Sequence, residues 1–298
     1  MDIKKKLLPF VNSTMIPLVD KIPLLRSLFS YVGKNVCADS YRDLRRKFIK
    51  NGEGSKWDVK LRTEIILRFE VVDAMVPSQT TPADGLMLAE ALLSVGAEGA
   101  VVECGCFSGA STAKLSIISK ITGRKLHVFD SFEGLPESAT GDASDFSIQK
   151  AGEGTDWRPG SFAAGLERVR DNVEKYGEIS VCSFYKGWFK DTLISENLPD
   201  KIAMAFTDVD LPESAKECLA AIWLTLAERG IYFTHDAAFI KVLLTVMDEK
   251  LWRDKLGEFP PILFGAGSGL AHSARHLGFA VKGKGLPAEY YKSLTIEK

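Results

Sequence analysis

The stretch that decides the fold is Ala100-Val101-Val102-Glu103-Cys104-Gly105-Cys106-Phe107-Ser108-Gly109-Ala110. A short apolar run ends in an acid, passes through two glycines and enters a helical pattern. The run is too short for a buried helix, so it reads as a buried parallel strand. From Ala110 the apolar residues Leu115 and Ile118 recur at helical spacing, and Gly123 stops the helix. Gly105 and Gly109 let the backbone turn tightly and approach a ligand closely. The spacing is not the G-x-G-x-x-G of dinucleotide binders, because Phe107 stands where that motif has its second glycine.

The same alternation extends in both directions. Upstream, Thr81-Pro82 starts a helix carrying Leu86, Leu88, Ala89, Leu92 and Leu93, with Gly96 as its stop. Downstream, Leu126 to Asp130 is a second strand ending in an acid. A helix capped by Ser161 carries Phe162, Leu166, Val169, Val173 and Tyr176 and stops at Gly177. Ile179 to Phe184 is strand-like, and Ile202 to Thr207 is a strand ending at Asp208. Ser214-x-x-Glu217 has the form of a capping box. Its helix is expected to hold Arg229 in the last turn and to stop at Gly230. Ile231 to Thr234 is then a strand ending at His235-Asp236. Strands and helices in alternation predict an α/β fold, an open and mostly parallel Rossmann-like sheet with helices on both faces.

Residues 1–75 lack this pattern. Tyr41 to Phe48 is helix-like and Asn51-Gly52-Glu53-Gly54-Ser55 is a loop, so 1–75 is read as a helical N-terminal extension and 76–298 as the main domain. Lys4-Lys5-Lys6 followed by Leu7-Leu8 loosely resembles the start of a signal peptide. Asn12, Ser13 and Thr14 break the apolar run, no small-residue cleavage site stands out, and no stretch is long enough to span a membrane. Residues 137–160 are polar and rich in Gly, Asp and Ser, and read as a long loop that serves as a lid.

The formal net charge of -1 disfavours nucleic acid as a partner, since neutralising phosphates takes clustered Lys and Arg. Cys37, Cys104, Cys106, Cys182 and Cys218 have neither metal-ligand nor redox-motif spacing. They are read as reduced, which places the chain in the cytoplasm.

In an open parallel sheet, ligands bind beyond the carboxyl ends of the strands. Here those ends carry Glu103, Asp130, Asp208 with Asp210, and Asp236. Asp130 can accept hydrogen bonds from both hydroxyls of a ribose; the plainer reading is a helix cap. Asp208 and Asp210 share one side of an extended segment. With His235 and Asp236 from the neighbouring strand end they can hold a divalent cation, or they can simply cap adjacent helices. Oxygen ligands suit Mg²⁺, Ca²⁺ or Mn²⁺, and an imidazole shifts the preference toward Mn²⁺, Fe²⁺ or Zn²⁺.

Three blocks together carry a more specific signal. They are Val101 to Gly109, Phe129-Asp130-Ser131-Phe132-Glu133-Gly134-Leu135-Pro136, and Lys186-Gly187-Trp188-Phe189-Lys190-Asp191-Thr192-Leu193. In order and spacing they resemble the macrocin O-methyltransferase family of class I S-adenosylmethionine-dependent methyltransferases. That family includes sugar O-methyltransferases of macrolide and aminocoumarin antibiotic pathways. The resemblance implies that Glu103, Gly105 and Gly109 line the methionine end of S-adenosylmethionine, with Phe107 and Ser108 also binding the cofactor. It implies Asp130 and Ser131 at the ribose, and Gly187 and Trp188 near the adenine. Asp208, His235 and Asp236 fall on metal-ligand positions, for Mg²⁺ or else Mn²⁺ or Fe²⁺, and Asp210 falls on the general base. His235 stands where the family has an acid, Ala237 where an aromatic is common, and Pro212 where Tyr is usual.

The reaction implied is methyl transfer to a hydroxyl of a sugar or natural-product intermediate. The partners expected are a small-molecule acceptor and a second copy of the chain in a homodimer. Two other functions compete: the same fold and cofactor driving a cyclisation or rearrangement, and a binding protein without catalysis.

Overall fold

Short runs of β-branched and apolar residues pair side by side in a computed structural model that describes residues 38–137 and 158–283. The strands are β1 (Ala100–Cys104), β2 (Leu126–Asp130), β3 (Cys182–Lys186), β4 (Ile202–Thr207), β5 (Leu226–Thr234) and β6 (Gly278–Val281). They form a 6-stranded sheet in the order β3-β2-β1-β4-β5-β6. The first five are parallel, and β6 runs antiparallel to β5. The chain builds outward from β1 to β2 and β3, then returns to β1's other side with β4 and β5. Between β1 and β4 the direction of winding reverses, and a crevice opens there at the strands' carboxyl ends.

The helices around this sheet include α1 (38–50), α2 (Val59–Met75), α3 (Pro82–Ser94), α4 (Ala110–Thr122), α5 (Leu166–Tyr176), α6 (Phe189–Thr192), α7 (Pro212–Thr225) and α8 (Ile240–Val246). Successive strand residues point to opposite faces, and the two faces feed two cores. Val101, Val128, Met204 and Ile231 pack with side chains of α1 to α5. Their neighbours Val102, Phe129, Ala205 and Tyr232 pack with α7, α8 and Trp252. Residues 38–75 are largely helical, and Leu44, Phe48, Ile65, Ile66, Phe69 and Val72 share the first core with α3 and α4. Arg62 of α2, 3 % exposed, joins them: its guanidinium pairs with Glu90 of α3 and donates to the Phe48 and Trp57 carbonyls.

Several boundaries differ from the sequence expectation. The helix expected from a Ser161 cap starts at Leu166, with Gly165 as its N-cap. The helix expected from Ser214 starts at Pro212, where a proline's missing N–H costs nothing, and no side chain caps it. That helix also ends early, at Thr225. Arg229, expected in its last turn, lies in β5 with φ 65, inside a bulge where the pairing with β4 jumps from Ile202↔Leu226 to Met204↔Ile231. The third strand runs Cys182–Lys186 rather than from Ile179, which opens a 3-10 turn. The four residues of β6 carry no alternation that would announce a strand.

The expectations for residues 1–37, including Cys37, and for most of the 137–160 loop lie outside the described residues. Among the described residues no helix is long and apolar enough to cross a membrane, and Cys104, Cys106, Cys182 and Cys218 are free thiols.

Candidate active site

The loop after β1 is shaped by contact with the loop after β4. Gly105 has φ 82, and a β-carbon there would lie 2.0 Å from the Asp208 carbonyl oxygen. The Asp208 amide in turn donates to the Cys104 carbonyl at 2.9 Å. Gly109, φ 85, is the N-cap of α4, and a β-carbon there would press on Val169 of α5 at 2.9 Å. Only glycine fits such left-handed, crowded positions without strain.

Asp130 ends β2 beside this loop. Its Oδ2 accepts from the Cys106 amide at 2.7 Å and its Oδ1 from the Phe132 amide at 2.6 Å. Ser131 turns the chain back, donating to the Gly134 carbonyl and accepting from the Glu133 amide. Glu103 is on the α4 side of β1 and is fully buried. Among the described residues, no hydrogen bond of good geometry reaches either of its carboxylate oxygens. Burial drives its pKa up to about 8; the Ser111 and Thr112 hydroxyls pull it back in part, and Asp130 and Asp208 add repulsion.

The ends of β4 and β5 carry the second half of the site. Asp210 sits at φ 62 in a tight turn closed by the Leu211 amide on the Val209 carbonyl at 2.6 Å. Such a γ-turn is strained for a residue other than glycine. It is braced by Asp236, whose Oδ2 accepts from the Val209 and Asp210 amides at 3.1 and 3.2 Å. Carboxylate oxygens of Asp208, Asp210 and Asp236 lie within 4.8 Å of one another. Burial, then the charges of Asp236 and Asp208, push the Asp210 carboxyl well above the usual range. Burial and Asp208 push Asp236 to about 7. Asp236 Oδ1 is buried and has no hydrogen-bond partner among the described residues. Three converging carboxylates, one with an unsatisfied buried oxygen, fit a hard divalent cation.

His235 is not in that group. Its Nδ1 is 3.2 Å from Asp208 Oδ1 and its Nε2 is 3.2 Å from Asp84 Oδ2. Burial works against a charged ring, but the two carboxylates outweigh it and hold the His235 pKa well above its ordinary value. Burial raises Asp84, and the His235 bond and the Thr81 bonds more than reverse that.

A cavity of about 620 Å³ runs over the strand ends. Of the residues singled out in the sequence, Gly105, Phe107, Asp130, Ser131, Gly187, Trp188, Asp208, Asp210 and His235 line it. Glu103, Ser108, Gly109 and Asp236 stand behind its wall. Ser108 is buried and offers its carbonyl to Asn172, at 2.9 Å. The sequence reading missed the Pro77 to Thr80 segment before α3, and Phe239 and His276, which also line the cavity. It missed Asp84 as well; the only signal was an acid three residues after Thr81, a capping box that forms as such.

The family model described as "Macrocin-O-methyltransferase (TylF)" matches residues 85–255. A Streptomyces olivaceus protein described as 8-demethyl-8-(2,3-dimethoxy-alpha-L-rhamnosyl)-tetracenomycin-C 4'-O-methyltransferase is 32% identical over 198 residues, 63% of this chain and 72% of that protein. The solved structure of the O-methyltransferase NovP superposes with a TM-score of 0.54 at 22% identity, covering 68% of this chain and 81% of the other. At that identity the likeness speaks for the fold, a class I methyltransferase sheet with helices on both sides.

Proposed function

This chain belongs to the macrocin O-methyltransferase family, and from that premise we propose how its cavity methylates a hydroxyl of a sugar or another natural-product intermediate. The observation that carries the reading is that one cavity joins Asp130 to Asp210, so donor and acceptor meet in a shared space. S-adenosylmethionine is the methyl donor. In this reading Gly105 and Phe107 flank its methionine end, with Glu103, Ser108 and Gly109 supporting the loop from behind. Asp130 takes the ribose hydroxyls on the lone pairs its two amide donors leave free, with Ser131 alongside. Gly187 and Trp188 lie at the adenine.

An alcohol attacks the sulfonium methyl only as it loses its proton. In this reading Asp210, at the cavity wall beside Asp208 and Asp236, accepts that proton. The oxygen–carbon bond forms as the carbon–sulfur bond breaks, and the bonding pair leaves with sulfur as S-adenosylhomocysteine. Alignment of the three atoms is a proximity effect. Asp208, Asp210 and Asp236 would hold a divalent cation such as Mg²⁺, which when bound lowers the pKa of a hydroxyl.

The deciding experiment supplies candidate glycosides with labelled S-adenosylmethionine. Label in an ether on the acceptor, with S-adenosylhomocysteine released in equal amount, supports the reading. Turnover of S-adenosylmethionine without methylated product would overturn it.

A further inference from the structure

Asp84 holds the N3 position of α3, where a capping-box carboxylate ordinarily stays near solvent. Here it is fully buried, and its Oδ2 accepts from the Thr81 amide at 2.7 Å. The same oxygen meets His235 Nε2, while His235 Nδ1 meets Asp208 Oδ1, each at 3.2 Å. Phe206 places its ring edge-on to the imidazole at 6.4 Å, and the His276 ring lies 5.6 Å away. The ring thus faces a carboxylate at each nitrogen, the arrangement of a donor on both sides. A histidine that ligates a metal needs one nitrogen with a free lone pair aimed at the ion. Neither nitrogen of His235 has that aspect, and the converging carboxylates of Asp208, Asp210 and Asp236 form without it.

We propose that Asp84 and His235 are positioning residues for an all-oxygen cation site: Asp84 sets the ring, and the ring fixes Asp208 beside Asp210 and Asp236. The inference rests on the reading of the acidic cluster as a cation site. It assigns that site to the Mg²⁺ and Mn²⁺ class, since an imidazole ligand is what would favour Zn²⁺ or Fe²⁺.

The test is Mn²⁺ binding to the full-length, cofactor-free protein, followed by electron paramagnetic resonance, with spin-echo spectra of the bound ion. Wild type is expected to bind Mn²⁺ saturably and to show no nitrogen modulation from a coordinated imidazole. That spectrum requires no variant and so no assumption about folding. Asp84→Asn and His235→Gln are expected to weaken Mn²⁺ about tenfold, the scale of losing a partner that orients a ligand. Asp58→Ala, which removes the carboxylate that caps α2 away from this site, is expected to lower the melting temperature and leave Mn²⁺ affinity unchanged. Imidazole modulation that disappears in His235→Gln overturns the proposal while leaving the cation reading standing. Wild-type affinity in folded Asp84→Asn overturns it too. No saturable Mn²⁺ site in wild type overturns the cation reading and the proposal with it.

Discussion

The carbonyl oxygen of Asp208 occupies the space that a side chain on Gly105 would need, 2.0 Å from the position of its β-carbon. The loops after β1 and β4, the proposed donor and acceptor halves of the cavity, are therefore in backbone contact. Gly105→Ala is expected to damage both halves. The left-handed φ alone costs about 1–2 kcal/mol, and the Asp208 loop must also move. Calorimetry with S-adenosylmethionine should show at least tenfold weaker binding, together with a lower melting temperature. Wild-type affinity in this variant would contradict the packing described.

Asp210→Asn keeps the size of the side chain and removes both the proposed base and one carboxylate of the acidic cluster. Transfer is expected to fall by roughly 10²–10⁴, the usual contribution of a positioned base. S-adenosylmethionine affinity should stay within about twofold, because the bond-making step and not the cofactor site is lost. Single-turnover assays beside calorimetry separate the two; normal turnover would remove Asp210 from its role.

If the acidic cluster works with a cation, exhaustive chelation should abolish transfer. Added Mg²⁺ or Mn²⁺ should restore it. Full activity after chelation, with the metal content checked by elemental analysis, would leave Asp208, Asp210 and Asp236 without that function.

Arg62 ties α1, α2 and α3 together from a buried position. Arg62→Ala strands the Glu90 charge in the core and is expected to cost about 3–5 kcal/mol. The double change Arg62→Met with Glu90→Leu should recover most of that. Urea denaturation gives both values; a loss below about 1 kcal/mol in the single variant would mean that the Glu90 charge finds water or another partner.

Glu103 gives stability a pH dependence in the cofactor-free protein. Folded, it keeps its proton up to about 8, whereas the unfolded chain releases it near the ordinary value of 4.5. The stabilisation is thus complete below the unfolded value and is lost as pH rises from there through about 8. Glu103→Gln, which has no proton to lose, should melt higher than wild type at pH 8 by the equivalent of a few kcal/mol at most. The advantage should shrink toward pH 5. An equal difference at both pH values would show that burial does not control this carboxyl.

The sheet was legible because β1, β2 and β4 are short, mostly buried and mostly apolar runs set between helices. β6 escaped, since Gly278-Phe279-Ala280-Val281 is short and its antiparallel pairing with β5 depends on residues far along the chain. Ser161 and Ser214 resemble caps locally, but the chain enters those helices at Gly165 and Leu211 instead. Asp130 and Asp210 could be picked out because strand ends face the crevice. Asp84 could not, because its meeting with His235 joins positions 151 residues apart and capping alone explained it. Phe239 follows the carboxyl end of β5 and turns back on Asp236 at the start of α8, while His276 reaches the cavity through the way the chain returns to β6, which no local pattern records.

Asp130 is held at both oxygens by backbone amides of Cys106 and Phe132 before any ligand arrives. Immobilising a free side chain on binding usually costs about 0.5–1.5 kcal/mol in lost rotamer freedom. Here that entropy is surrendered when the protein folds, so a nucleoside bound as proposed would meet a carboxylate already frozen in place.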